Sequence, residues 1–340
     1  MQRQIGRRTC LVAAAMLWLA ATAEAAQVAW PKTWVSTELA DHPLVGKIYV
    51  PKTKKYVTPK QYLRTLTWPR FVLLGEIHDN ADHHILQGLA IRSMGEGRPP
   101  VVFEQFQTNQ QPLIDAFQTG LAKVDKAASE DPATRLFLAT NWSKSGWPDQ
   151  DIFRPLIESV LARRGRIIAG NPPRARVRKT ARAGLDALSS DAQRRLRLDR
   201  PLADDLKDGL LTELEASHCG LMPKSAFGNM AMAQRFRDGH MARAMVDAAA
   251  LGEGPVALVA GNGHVRLDRG VPWYIERMMP EAQERPLLSV GHVEVIKGKT
   301  RPEDYADAVA QHSLIVFTPR ATRKDPCVEM RKRFGAHKKK

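Results

Sequence analysis

The sequence predicts an α/β protein with a largely parallel sheet flanked by helices, together with a helical insertion. Six short apolar runs of strand length lie along the 340 residues, and helix-like stretches separate them. Continuous apolar runs are typical of strands that are buried on both faces of a parallel sheet. A charged stretch at about residues 175–221 has leucines at helical spacing and no apolar run, so we interpret it as the insertion.

The first 26 residues have the three parts of a secretory signal peptide. Arg3, Arg7 and Arg8 form a positive start, Leu11 to Ala21 is apolar without a charge, and Ala23 to Ala25 ends in small residues. The apolar run is too short to serve as a membrane-spanning anchor. We therefore expect export, and a periplasmic location for the mature protein.

The remaining elements follow in order through a domain at about residues 27–320. A hairpin is expected around Lys47 to Tyr56, and Thr58 caps a helix with Pro59 in its first turn. The predicted strands are Phe71–Leu74, Val101–Phe103, Arg166–Gly170, Val256–Ala260, Leu287–Val290 and Leu314–Phe317. The predicted helices include His83–Met94, Pro112–Lys123, Ile152–Arg164 and Met230–Leu251. Residues 321–340 form a basic tail, and we expect the last fifteen to lack regular structure.

The charge of the chain favours an anionic ligand or a solvated basic surface over a nucleic acid. The formal net charge is +15. Dense basic runs occur at Arg174 to Arg182, Arg194 to Arg200 and Arg331 to Lys340, and none is interleaved with aromatic residues in the manner of a stacking platform. Proteins that bind single-stranded nucleic acid combine such charge with aromatic stacking platforms, so we expect no nucleic-acid partner.

Two cysteines remain after the expected signal peptide, Cys219 and Cys327. An oxidising compartment permits a disulfide between them. The sequence alone leaves open whether they pair.

Chemically active side chains follow three of the predicted strands. Glu76 and His78 come after the first strand, Glu104 after the second, and His264 after the fourth. Parallel strands place their carboxyl ends at one edge of the sheet, where α/β proteins bind ligands. We therefore expect His78, Glu104 and His264 to meet there, where they could hold a metal ion or transfer protons. A lone Gly-x-x-His motif is often only structural; two copies, each after an apolar run, favour a site.

These segments resemble the ChaN-like haem-binding uptake proteins, which are grouped with the Tiki, TraB and erythromycin-esterase proteins. The resemblance is carried by Gly75-Glu76-Ile77-His78 with the following Asp79-Asn80 and His83, by Glu104 in its strand, and by Trp142 to Pro148. The Gln234 to Met241 helix and the stretch from Gly261 to Pro272 extend it, so that it covers most of residues 68 to 295. Unlike some ChaN proteins, this chain has no lipidation cysteine after its apolar run.

The resemblance implies a periplasmic protein that binds haem for haem and iron uptake. Family members hold the iron through a tyrosine and enclose haem within dimers. Here His78, His83, His264 and Tyr274 are the expected contacts to the cofactor, and Tyr274 lies just beyond the second Gly-x-x-His loop. The implied partners are haem, a second copy of the chain and an outer-membrane uptake system.

The alternative is a metal-dependent hydrolase, which the Tiki and erythromycin-esterase relatives imply. In this hypothesis His78, Glu104 and His264 hold a divalent metal ion, and Glu76 and His78 are the catalytic residues. Glu76 would act as a base or would support the metal ligands. Three protein ligands with one open position are the usual arrangement of a catalytic zinc site.

Overall fold

The computed structural model describes residues 29–121, 130–252, 254–280 and 285–337. The expected signal peptide, residues 1–26, lies outside them. Eight strands form one sheet, and all six predicted apolar runs are among them. The strands are β1 (Ile48–Val50), β2 (Lys55–Val57), β3 (Phe71–Glu76), β4 (Pro100–Gln107), β5 (Arg166–Asn171), β6 (Val256–Gly261), β7 (Leu287–Glu294) and β8 (Leu314–Thr318).

The strand order is β2-β1-β8-β7-β3-β6-β4-β5. The six strands from β8 to β5 pair in parallel, and the β1–β2 hairpin adds to the β8 end of the sheet with β1 antiparallel to both β2 and β8. Strand β6 lies between β3 and β4, with Glu76 opposite Gly261 and Phe103 opposite Val259. The parallel α/β sheet is therefore confirmed, and the ends of β3, β4 and β6 are adjacent.

Helices cover both faces of the sheet. Alternate residues of β3 point to opposite sides, as the two-residue period of a strand requires: Phe71 and Leu73 belong to one apolar core, and Val72 and Leu74 to the other. The helices are α1 (Pro59–Thr65), α2 (Ala81–Arg92), α3 (Gln111–Leu121), α4 (Pro132–Ala139), α5 (Gln150–Ala162), α6 (Arg174–Ala183), α7 (Ser190–Arg195), α8 (Asp204–Ser217), α9 (Lys224–Ala249), α10 (Asn262–Val265), α11 (Val271–Met278), α12 (Ala306–Gln311) and α13 (Pro326–His337).

The region of the expected insertion contains helices α6, α7 and α8 and no strand. The expectation that the last fifteen residues lack regular structure was wrong, because Pro326–His337 forms α13. A disulfide between Cys219 and Cys327, with 5.6 Å between the two Cα atoms, joins this helix to the segment after α8. The covalent link supplies the stabilisation that the polar sequence of α13 does not indicate.

Capping side chains begin two of these helices as the sequence indicates. The Thr58 hydroxyl accepts from the Gln61 backbone N–H at 3.2 Å, and the Gln61 side chain accepts from Thr58 N–H at 2.8 Å. Asn80 caps α2 by accepting from Asp82 N–H at 3.0 Å. Such caps contribute about 1 kcal/mol each, and the second one holds the turn that carries His78. In the described part of the chain, no helix combines the length and apolarity needed to cross a membrane.

Candidate functional site

Glu76, at the end of β3, is a buried carboxylate surrounded by donors. It contacts His78 Nδ1 at 2.8 Å, His84 Nδ1 at 3.3 Å, Gln87 Nε2 at 2.9 Å and Gln105 Nε2 at 2.7 Å. Burial opposes ionisation, but His84 and His78 outweigh it and hold the pKa of Glu76 far below its usual range. Because its oxygens are occupied, Glu76 is suited to orient His78 and unsuited to the role of general base.

His78 is the exposed member of the site. Its side chain is 38% exposed, and its ring packs edge-on against Trp147 with 4.8 Å between the ring centroids. With Nδ1 directed at Glu76, the neutral ring keeps a lone pair on Nε2, which makes no hydrogen bond within the part of the chain that the structure describes. Burial lowers the pKa of His78, but Glu104 and Glu76 outweigh that effect and raise it.

His264 lies between two buried carboxylates. Its Nδ1 is 2.5 Å from Asp238 Oδ1, and its Nε2 is 3.3 Å from Glu104 Oε1. Burial opposes protonation, yet Glu104 and Asp238 raise the pKa of His264 to about 9, so the ring is an imidazolium at neutral pH. Gly270 lets the chain close this turn, since an added Cβ would lie 2.3 Å from the His264 carbonyl oxygen.

Glu104 connects the two histidine loops. Its Oε2 accepts from the Gly261 backbone N–H at 2.8 Å, and its Oε1 forms an ion pair with Arg237. A Cβ added to Gly261 would lie 3.0 Å from His78 Cε1 and 3.7 Å from Glu104 Oε2, so both side chains border this glycine. The sheet therefore brings Glu76, His78, Glu104 and His264 to one edge.

Two other expected cofactor contacts lie in the interior. His83 is fully buried; its Nδ1 accepts from Ile77 N–H at 2.9 Å, its Nε2 contacts Thr318 Oγ1 at 2.9 Å, and burial holds its pKa well below the usual range. Tyr274 is also fully buried, its oxygen accepts from Arg235 Nε at 2.9 Å, and burial raises its pKa. Neither side chain can reach a surface ligand in this conformation, because packing and hydrogen bonds hold both inside.

The other four tyrosines offer no exposed phenol beside β3. Tyr49, Tyr62 and Tyr305 are buried, and Tyr56, 50% exposed, lies on β2, which β1, β8 and β7 separate from β3. In this conformation, none of them is an accessible ligand next to His78 of the kind that the resemblance implies.

The structure does not support the predicted metal site. In the described ranges, no group of three or more His, Cys, Asp or Glu side chains is arranged to hold a metal ion. The physical reason lies at Glu104, whose oxygens are already engaged by Arg237, His264 and the Gly261 N–H. The Arg237 cation supplies the positive charge that a metal ion would otherwise bring, so the hydrolase hypothesis loses its metal ligands.

Helix α9 contributes two site residues that the sequence interpretation missed, Arg237 and Asp238. Asp238 is 2% exposed and lies on the buried face of α9 with Ala242 and Met245. Asp238 and the nearby Arg235 are charged residues on an otherwise mainly apolar face of α9, and this was the available signal, because an unpaired buried charge is costly and implies a partner.

A small cavity adjoins the site residues, and a larger groove lies away from them. A cavity of about 150 Å³ adjoins Asp238 and is lined by Leu210, Glu213, Leu214, Ser217, Gln234, Gly263 and Arg269. A groove of about 1540 Å³ lies at the opposite edge of the sheet, where β4, β5 and β6 begin at Pro100, Arg166 and Val256. The described lining of that groove contains no histidine, cysteine or tyrosine, and its acidic residues are Glu96, Asp115, Asp131 and Glu158.

Comparison with known proteins gives one family and one informative structure. The family model described as haem-binding uptake, Tiki superfamily, ChaN matches residues 62–275. A structure of cofacial heme binding to ChaN of Campylobacter jejuni is similar over 79% of this chain and 95% of that chain, at 19% identity and a TM-score of 0.60. The type III effector HopBA1 matches over 82% of this chain and 98% of its own at 12% identity, with a TM-score of 0.40. No curated protein matches this chain. The ChaN structure shows the same fold.

Proposed function

Because this chain belongs to the haem-binding uptake family of ChaN, in the Tiki superfamily, we propose that it binds haem at His78 and serves haem and iron uptake. The family match from residue 62 to 275 includes both Gly-x-x-His loops. The C. jejuni ChaN structure, which has this fold, is described as binding haem cofacially. The signal-like segment at residues 1–26 supports a periplasmic location for this activity.

The observation that carries the proposal is the half-exposed imidazole of His78 with its free Nε2. Histidine is a common axial ligand, and bound haem would supply an iron atom that accepts the Nε2 lone pair. Glu76 holds Nδ1 at 2.8 Å, which fixes the ring and its tautomer. A carboxylate in this position also makes the imidazole a stronger ligand.

The surroundings of His78 fit a flat, anionic, largely apolar ligand. Trp147 presents an aromatic ring beside the imidazole, with 4.8 Å between the ring centroids, and is itself held by a hydrogen bond from Nε1 to the Gln105 carbonyl at 2.9 Å. The net charge is +15 for the full chain and +13 without residues 1–26, which carry three arginines and one glutamate, and it favours the approach of an anion. His264 has its two nitrogens directed at Asp238 and Glu104, so we assign it to holding Glu104 in place and not to contacting the iron.

We propose in addition that a second copy of the chain covers the exposed side of the haem. His78 faces solvent, and the cavity of about 150 Å³ beside Asp238 is smaller than the 300 Å³ or so at which ligand pockets begin. A single chain therefore leaves a porphyrin at His78 open on one side. An outer-membrane uptake system would be the source of the ligand.

Titration of the purified mature protein with haemin tests the proposal. A Soret band distinct from that of free haemin is expected, and His78→Ala should shift that band and weaken binding at least tenfold, a loss of about 1.4 kcal/mol. His42→Ala is the matched control, since His42 is also half-buried but lies before β1, in the lead-in segment. Haemin spectra unchanged by the wild-type protein, or equal binding by the His78→Ala variant, would contradict the proposal.

A further inference from the structure

Arg174 is an exposed cation at the rim of the His78 site. It is the first residue of α6, directly after β5, and therefore lies at the same edge of the sheet as the site. Its guanidinium rests on the loop before α5: a Cβ added to Gly146 would lie only 3.1 Å from Arg174 Nη2. The next residue, Trp147, packs against the His78 ring. Arg174 therefore lies beside the residue that precedes Trp147, the aromatic neighbour of His78.

No described residue pairs with the charge of Arg174. Its backbone N–H donates to Gln107 Oε1 at 2.9 Å, which fixes the start of α6. In the part of the chain that the structure describes, the guanidinium itself forms no ion pair or hydrogen bond. By contrast, Arg237 is paired with Glu104, and Arg266 with Glu213 and Asp268. Arg174 is therefore available to an anion from outside the chain.

We propose that Arg174 binds a propionate carboxylate of the porphyrin whose iron is held by His78. This inference rests on the proposed function and assigns the residue that recognises the acidic edge of the ligand. A metalloporphyrin has its iron at the centre and its carboxylates along one edge, with an apolar ring between them. His78, Trp147 and Arg174 offer a ligand atom, an aromatic surface and a cation in that order. The planar guanidinium matches a carboxylate in a two-point hydrogen bond.

Three probe molecules separate the two contacts. Haemin has iron and carboxylates, protoporphyrin IX has carboxylates without iron, and haemin dimethyl ester has iron without free carboxylates. Arg174→Ala is expected to weaken haemin and protoporphyrin IX about three- to fivefold, as for an exposed ion pair, and to leave the dimethyl ester unchanged. His78→Ala is expected to weaken haemin and the dimethyl ester and to leave protoporphyrin IX unchanged.

Arg178→Ala is the matched control, because Arg178 is exposed on the same helix, about one turn further along. Equal weakening by Arg174→Ala and Arg178→Ala would show a general effect of the basic surface and overturn the inference. Haemin binding that depends on His78 but not on Arg174 would overturn the inference and leave the proposed function intact. If no probe bound to the folded wild-type protein, the proposed function itself would fail. Circular dichroism confirms that each variant is folded, and both arginines are exposed enough for substitution to be tolerated.

Discussion

Replacing both Cys219 and Cys327 with serine should lower the stability of the protein measurably. The disulfide joins positions 108 residues apart, so it closes a long loop in the unfolded chain. A loop of about 100 residues corresponds to about 4.7 kcal/mol in the chain-entropy model, and measured disulfides more often contribute about 2–4 kcal/mol. For a protein of about 300 residues, the entropy of unfolding is about 0.6 kcal/mol per kelvin. We therefore expect the unfolding temperature to fall by about 3–8 °C.

The assay is thermal unfolding followed by circular dichroism at pH 7, comparing the oxidised protein with the double serine variant. Oxidised protein treated with a reductant is the control, because it should unfold at nearly the temperature of the serine variant. An unfolding temperature within 1 °C or so of wild type, which corresponds to about 0.6 kcal/mol, would refute the reasoning. It would mean that α13 is held by its noncovalent contacts and that the loop is already restricted before folding.

Three further outcomes follow from the site. Glu76→Gln should weaken haemin binding about 10–100-fold through His78, as loss of a supporting carboxylate does; equal affinity by titration would remove Glu76 from the site. Tyr274→Phe should leave the Soret maximum of the haemin complex in place, because its oxygen is buried against Arg235, while urea unfolding shows a loss of about 1–3 kcal/mol; a shifted maximum would restore Tyr274 as a ligand. The pKa of His264 is raised from about 6.5 to about 9 on folding, so its stabilisation is fully present below pH 6.5 and is lost as pH rises through 9. The urea midpoint of the wild-type protein should therefore fall between pH 7 and pH 10 by more than the midpoint of the His264→Gln variant. An equal or smaller fall in the wild-type midpoint would contradict the raised pKa of His264.

The fold could be predicted because its central strands stand out in the sequence as continuous apolar runs. β3 and β6 are buried at every position, and a strand that is buried on both faces is apolar along most of its length. Parallel pairing then required the carboxyl ends of β3, β4 and β6 to share an edge, and Glu76, His78, Glu104 and His264 lie at or just beyond those ends. The convergence of the site followed from topology alone.

The roles of these residues could not be predicted in the same way. The sequence shows which polar groups lie near one another, but it does not show which lone pairs are already engaged. Glu104 was expected to bind a metal ion and instead binds Arg237, a residue 133 positions away on α9. Tyr274 was expected to contact the cofactor because it follows a site loop, but the helix that starts at Val271 turns it toward Arg235 in the core. Both outcomes depend on a helix packing that no local pattern encodes.

The position of β6 between β3 and β4 has a consequence for the order of events during synthesis. Strands β3 and β4 are complete by Gln107, but they are not neighbours in the sheet. The strand between them is β6, which begins only at Val256. In a nascent chain that ends before Val256, both edges of β3 and one edge of β4 are therefore unpaired, and His264 is missing. Such edges promote aggregation, and pairing over so many residues is slow. The completed sheet and the site at its edge are late products of folding, so a chain truncated in its second half is expected to lose solubility together with ligand binding.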